Sequence, residues 1–448
     1  MSAIAVDFLT CYHGLPVPQL PFSPFQKVTR QWEMVCPQNS AHALLVEGVL
    51  DPETIEAAWQ STLRDLGLGR VHVDDELGGY SHEIWSGDPP EPLVSHHATA
   101  PAIETFLQEQ LNRPFPASPA MPYRPCALQG DQQCYLVLIY QQWVADSVSI
   151  RLLMREWFLR MFAPAKARRK LVDLPRLRFA AGLRIGSSPS RALRGALDAY
   201  GWIRNADQLT TFPSTKTADD NHIDLRMLRL EPAELDGLLM VTQAEGCTLS
   251  DLLMAALATA LHAKLPHSGP MTLAITTSID LRPYLGAGDL YETYGSLLAY
   301  WPVLCKLPCS SKLDLAQEIA RQTRALKDPD RLAQMLLLPR VIAWWAARQG
   351  PGKLLAFHRA KAPIAASLAN VNHNKTWMAL HFPNPIRSYV RLASPSPAVP
   401  LSISTSTLGD TMDIILCANR GQTGNSATNL LDAFATALRS LVQSPKRM

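Results

Sequence analysis

A strong charge of either sign is what this 448-residue chain lacks. Forty-two Lys and Arg offset thirty-nine Asp and Glu, leaving a formal net charge of +3. That balance argues against the broad positive field of a nucleic-acid-binding domain. Also missing is any apolar run approaching the ~20 residues that a membrane-crossing helix needs. The opening MSAIAVDFLT has no basic segment, and Asp7 interrupts its short apolar stretch, so it does not read as a secretory leader. Cysteine is sparse. Eight are scattered, and the one close pair, Cys305 and Cys309, has no His or Cys partner at metal-ligand spacing. The expectation is therefore no metal centre, no disulfide framework and a reducing cytoplasm.

What is present describes a globular protein. Hydrophobic residues make up 47% of the chain, within the ordinary range. The length exceeds what one hydrophobic core usually serves, so two domains are expected. Thirty-five prolines favour many loops over a helical bundle. In the first half, His42 to Gly48 reads as a strand. Asp51-Pro52 opens a helix carrying Ile55, Trp59, Leu63 and Leu66, and Gly67 stops it. A short strand follows at Arg70 to Val73. Cys134 to Tyr140 is a further strand, and a helix after Ser147 aligns Ile150, Leu153, Trp157 and Met161.

The second half repeats the pattern. Strands are predicted at His222 to Leu230, Met271 to Thr277, Leu297 to Leu307, Ala366 to Asn372, Leu401 to Thr407 and Met412 to Ala418. Helices are predicted after Glu231, after Thr248, over Asp328 to Arg348, and over Leu430 to Val442. The two comparable halves predict an α/β protein of two lobes, 1–185 and 222–448. Residues 186–221, rich in Ser, Thr, Ala and Asp with a helix near Arg191 to Ile203, form a linker or crossover.

Residues 136–149 read LVLIYQQWVADSVS. An alternating apolar run ends in Gln141-Gln142, and Asp146-Ser147 follows three residues later. This stretch resembles the condensation-domain superfamily, whose signature here is His-His-x-x-x-Asp-Gly. The likeness continues in order through Glu47-Gly48-Val49-Leu50-Asp51, Arg113-Pro114-Phe115 and Gly246-Cys247-Thr248-Leu249-Ser250-Asp251 with its helix to Leu257. It runs on through Ile279-Asp280-Leu281-Arg282, Gly295, Asn370 and the segment Leu401 to Asn419. The resemblance implies two chloramphenicol-acetyltransferase-like lobes in a V, with a tunnel between them. It implies that Asp146 pairs with Arg282 and holds the geometry of the active site. It places Gln141 and Gln142 where the family carries two histidines and Ser147 where it carries glycine.

Histidine accepts and releases a proton near neutral pH, whereas a glutamine amide does not. On this reading Gln142, Ser147 and His373 are the catalytic candidates. Gln142 would hydrogen-bond an acyl oxygen, and backbone N–H groups of the turn would polarise it. Ser147 as a nucleophile has no histidine beside it in the sequence. Gln141, Trp143, Tyr294 and Asn370 are candidates to line the tunnel. Bulky Trp143, Tyr294 and Trp301 would fill it in a protein that had lost its activity. His96-His97 reads as a surface loop, and His222 and His381 as structural strand residues. His373, in the segment NVNHNKTW, reads as either a surface-loop histidine or a replacement base.

The stretch 151–184 is basic, with Arg151, Arg155, Arg160, Lys166, Arg168, Arg169, Lys170, Arg176, Arg178 and Arg184 against Glu156 and Asp173. It reads as a solvated face or as a docking patch for an acidic carrier protein or coenzyme A phosphates. Together with the resemblance, this predicts a stand-alone condensation-type acyltransferase of secondary metabolism. It would act on a thioester carried by phosphopantetheine or coenzyme A, with no cofactor of its own. Its partners would be an acyl or peptidyl carrier protein and a small amine, with no nucleic acid and no membrane. The alternatives are an inactive scaffold that binds a partner, and cyclisation or another rearrangement of a tethered intermediate.

Overall fold

The computed structural model describes residues 20–442 except 77, 84–91, 98–101, 173, 175–196, 198–200, 202–203, 214–220, 268, 285–292, 326–348, 379–384 and 425. The helices expected near 191–203 and over 328–348, with His381, Arg176, Arg178 and Arg184, lie outside the described residues.

The first half begins with β1 (Leu20–Pro21), α1 (Pro24–Glu33), β2 (Asn39–Glu47), α2 (Pro52–Leu66), β3 (Val71–Asp74), β4 (Gly79–His82) and β5 (Ser95–His97). It continues through α3 (Ile103–Asn112), β6 (Tyr123–Gln129), β7 (Gln133–Gln141), α4 (Ser147–Phe162) and β8 (Leu209–Thr210). The second half follows with β9 (Ile223–Leu230), α5 (Pro232–Glu245), α6 (Leu249–Lys264), β10 (Met271–Asp280), β11 (Leu298–Leu307), α7 (Lys312–Ala325) and α8 (Pro351–Lys361). Then come β12 (Ala366–Asn372), α9 (Asn374–Trp377), β13 (Ile386–Ala393), β14 (Leu401–Leu408), β15 (Thr411–Asn419), α10 (Arg420–Thr423) and α11 (Ser426–Val442).

One sheet has the order β13-β2-β7-β6-β5, and a second has β11-β10-β12-β14-β15-β9 with β8 beside the start of β10. β1, β4 and β3 form a small third sheet. The expected assignment of 222–448 to one lobe meets an exception at β13. This strand pairs antiparallel with β2 in the first sheet. Its side chains also reach the second sheet: Ser388 donates to Asp413 on β15, and Arg391 donates to the Thr405 carbonyl on β14. β13 is therefore the seam between the two halves. A shared apolar core reinforces it, with Ala41, Ala43, Val137 and Ile139 packed with Ile223, Leu225, Ile415 and Cys417.

Local sequence explains the element ends. Asp51 caps α2 by accepting from the Thr54 N–H at 2.8 Å, Pro52 follows it, and Gly67 ends the helix at φ +70°. Thr248 and Asp251 form a reciprocal capping box at the start of α6. α6 is apolar around its circumference because it is buried over the second sheet, within the cluster that includes Leu252, Leu257, Phe434 and Ile414. Among the described residues no single helix is long and apolar enough to cross a membrane.

Gly246 ends α5 at φ +60°, with no atom within 4 Å of where a Cβ would stand. The expense of a side chain there is backbone alone. Gly246→Ala should therefore destabilise the protein by about 1 kcal/mol, and Gly246→Asn by less, read from urea midpoints.

Candidate active site

β7 delivers the chain to a tight turn that ends at Asp146, the N-cap of α4. Asp146 Oδ1 accepts from the Val148 and Ser149 N–H groups at 3.0 and 2.9 Å. Its carboxylate also receives a two-pronged pair from Arg282, at 2.9 and 3.0 Å, and the Leu297 N–H at 2.8 Å. Arg282 is fully buried. Its remaining donors reach the Thr293 carbonyl, Asp280 and Ser149. Every charge in this group has partners, as burial requires. The group ties the turn of the first half to the strand ends of the second. Arg282→Lys keeps the charge but loses the planar fork, so a loss of about 1.5–3 kcal/mol in unfolding free energy is expected.

Beyond this frame lies a cavity of about 670 Å³ lined from both halves. Gln142 and Ser147 border it, together with Tyr300, Arg391, Trp301 and Trp32. Gln142 is held by its N–H to the Gln38 carbonyl at 3.0 Å, and its side chain shares the cavity wall with Tyr300. Tyr300 is 42% exposed because the cavity opens on it. α1 forms part of the wall. It is pinned by the Ser23–Gln26 capping box and by the Gln26 amide, which donates to the Trp143 carbonyl at 3.0 Å.

Ser147 has a histidine beside it after all, supplied by β2. Its Oγ lies 3.1 Å from Nε2 of His42, and Nδ1 of His42 lies 2.7 Å from the Tyr389 hydroxyl on β13. The sequence hides this because 105 residues separate the two partners. His42 is completely buried. Burial first, then Arg391, His373 and Arg151, holds its imidazole well below the usual histidine range. It is therefore neutral at physiological pH. In the tautomer that donates from Nδ1 to Tyr389, the Nε2 lone pair faces Ser147. The Ser147 N–H is one of the free donors of the first turn of α4 and carries no acceptor among the described residues.

The other expected site residues fall elsewhere. His373 is neither in a surface loop nor on the cavity wall. It is fully buried, its ring stacks on Tyr389 at 4.1 Å, and both of its nitrogens lack a partner. None of Gln141, Trp143, Tyr294 and Asn370 is in the wall of this cavity. Gln141 turns outward to Glu33 at 2.9 Å, because alternation along β7 sends it opposite to Tyr140. Trp143 packs on Phe22 and Tyr80, and Tyr294 bonds Tyr123 inside the core. Asn370 bridges Ser250 and Thr405. His96-His97 forms edge strand β5 rather than a loop. His222 lies 4.0 Å from Asp224.

The basic stretch does not form one solvated face. Arg155 and Arg160 flank the fully buried Glu156, and Arg151 donates to the Ser147 carbonyl at 3.4 Å. Within its described part, Lys166, Arg169 and Lys170 are exposed.

Reading from sequence missed His42, Tyr389 and Arg391. The available signal was a polar residue at an inward position of an apolar strand. His42 shares its face with Leu44 and Val46, and Tyr389 and Arg391 share a face of β13.

No family model matches the sequence, and no curated protein matches it. Solved structures do. The first condensation domain of the CDA synthetase is 15% identical with a TM-score of 0.66, covering 96% of this chain and 98% of that one. The starter condensation domain of rhizomide synthetase, solved with C8-CoA and Leu-SNAC, is 14% identical with a TM-score of 0.67, covering 96% and 95%. The X-domain from teicoplanin biosynthesis is 17% identical with a TM-score of 0.61, covering 97% of each. At such identities the likeness shows the fold. The chain has the mixed α/β condensation-domain fold, with two chloramphenicol-acetyltransferase-like lobes.

Proposed function

We propose that this protein is a condensation-type acyltransferase that moves an acyl or peptidyl group from a carrier-protein or coenzyme A thioester to an amine, forming an amide. The observation that carries this reading is the Ser147–His42 pair on the cavity. It supplies a proton acceptor beside the turn where the family motif has lost its histidines.

The neutral amine attacks the thioester carbonyl. A C–N bond forms, negative charge develops on oxygen and the nitrogen becomes cationic. The oxygen is met by the Ser147 N–H and an N–H of the Gln142 amide. The ammonium proton passes to Ser147 Oγ as the Ser147 proton passes to His42 Nε2. The C–S bond then breaks, and the leaving thiolate takes a proton back along the same path. A weak base suffices, because the proton is lost only after bond formation has made the nitrogen acidic. Apolar Phe25, Val28, Trp32 and Leu298 suit an acyl chain. The exposed Lys166, Arg169 and Lys170 suit an acidic carrier.

The test is intact-mass analysis of acyl-loaded carrier protein, with a parallel coenzyme A thioester, incubated with the protein and a panel of amines. Loss of acyl mass with appearance of the amide supports the reading. A product lacking any added amine points instead to cyclisation or another rearrangement. Gln141-Gln142 in place of two histidines and the likeness to the X-domain support a second reading, a partner-binding scaffold. Tight carrier binding with no acyl transfer to any acceptor would favour it.

A further inference from the structure

Arg391 sits in the cavity wall with 5% of its surface exposed. Its hydrogen bonds go only to carbonyls, from Nη2 to Ala369 at 2.7 Å and to Thr405 at 3.4 Å. Nε is buried without a partner, and Nη1 makes no hydrogen bond among the described residues. No carboxylate pairs with it there. Asp146, the acid in the same wall, is committed to Arg282. A buried guanidinium with no counter-ion is expensive, and natural interiors pair such groups. The free edge of the fork is shaped for a planar anion.

We infer that Arg391 binds the free carboxylate of the acceptor, which makes that acceptor an amino acid free in solution rather than one held on a carrier. This deepens the acyl-transfer reading and rests on it for the word acceptor. The position of the arginine selects the anion. Arg391 is the direct cross-strand partner of His42. Their Cβ atoms therefore stand about 5 Å apart on one face of the sheet. His42 reaches Ser147, so the anion lies beside the reacting atoms. In a pantetheine thioester the phosphate is at the far end of the arm from the acyl carbon. An α-carboxylate is two bonds from its amine. A molecule anchored at Arg391 thus presents its nitrogen near Ser147. Anchoring it also offsets the positive charge that opposes proton uptake by His42, so binding the right acceptor strengthens the base that serves it.

Titration calorimetry on the full chain tests this without any thioester. The probes are the free amino acids, their carboxamides and coenzyme A. At least one free amino acid is expected to bind, and its carboxamide to bind roughly 10–100-fold more weakly. Arg391→Gln should lower the free acid to the affinity of the carboxamide, and Arg391→Lys should recover part of it. Equal binding of acid and carboxamide to the native protein, or no binding of any amino acid, overturns the inference even if the variants fail to fold. Binding of coenzyme A alone that Arg391→Gln removes also overturns it and assigns the arginine to phosphate. Carboxylate-dependent binding without acyl transfer would sink the proposed activity and leave the anion site standing.

Discussion

Ser147→Ala is expected to lower turnover ~10²–10⁴-fold with little change in acceptor affinity, the range for removing a positioned proton acceptor. His42→Phe should fall as far. The double variant should be no worse than either single one, because the two groups act as a unit. A structural role for Ser147 predicts something different, namely lost stability and an unchanged kcat. The hydroxyl lies at the cavity edge and bonds only His42 among side chains, so its removal leaves the Asp146–Arg282 frame intact. Unfolding midpoints should barely move. Ser147→Gly introduces the glycine of the condensation-domain signature and should be as slow as alanine, since neither Gln141 nor Gln142 accepts a proton. Because His42 is held neutral far below pH 6.5, kcat should show no inflection near pH 6.5, where an exposed catalytic histidine would. Single-turnover rates from pH 5.5 to 8 for the wild type and the four variants decide the matter. A wild-type rate matched by Ser147→Ala would end the proton-relay account.

The frame of this site was legible in sequence and its chemistry was not, for a physical reason. Asp146, Ser147 and the N-terminus of α4 belong to one local signal, an apolar strand followed by a cap. Arg282 could be matched because the strand end before it also has a recognisable local form. The pair that defines the frame was therefore expected from the resemblance, matched at two short windows, and the structure forms it. His42, Tyr389 and Arg391 come together only through the pairing of β2 with β13, a contact between residues some 350 positions apart. Sequence periodicity registers faces, not partners, so neither the strand β13 nor its pairing with β2 was read from the sequence. The same limit misplaced Trp143 and Tyr294. Their size suggested a tunnel wall, whereas aromatic partners just after β1, on β4 and on β6 draw them into the core. α1 escaped notice although Ser23-Pro24 and Gln26 carry both a capping box and a first-turn proline.

Stability should fall steeply between pH 6.5 and 4, earlier than the carboxylates alone would dictate. His42, His82 and His373 are all buried to 1% exposure or less. His82 packs between Tyr80 and Tyr294 with both ring nitrogens unpartnered, and burial lowers it to about 4. Burial holds His42 and His373 well below 6.5 as well. The folded-state values lie below the unfolded one. Above about pH 6.5 neither state is protonated and the full stability is present. As pH falls through 6.5 the unfolded chain takes up protons that the folded chain refuses, and each histidine removes about 1.4 kcal/mol per pH unit. His82 alone removes about 2 kcal/mol by pH 5, and His42 and His373 act in the same direction, so the sum is a large share of the stability of an ordinary domain. His358 is also lowered by burial, to about 4, but it borders the cavity, where water weakens the effect, so its share is smaller. Urea unfolding at pH 7.5, 6 and 5 should therefore show midpoints that collapse toward acid. His82→Phe, which fills the same aromatic pocket without a titrating group, should lower the slope by about one proton and leave the pH 7.5 value nearly unchanged. A midpoint constant from pH 7.5 to 5 would mean that these rings are hydrated or paired in solution. His42 could then no longer be treated as the neutral acceptor on which the proton relay depends.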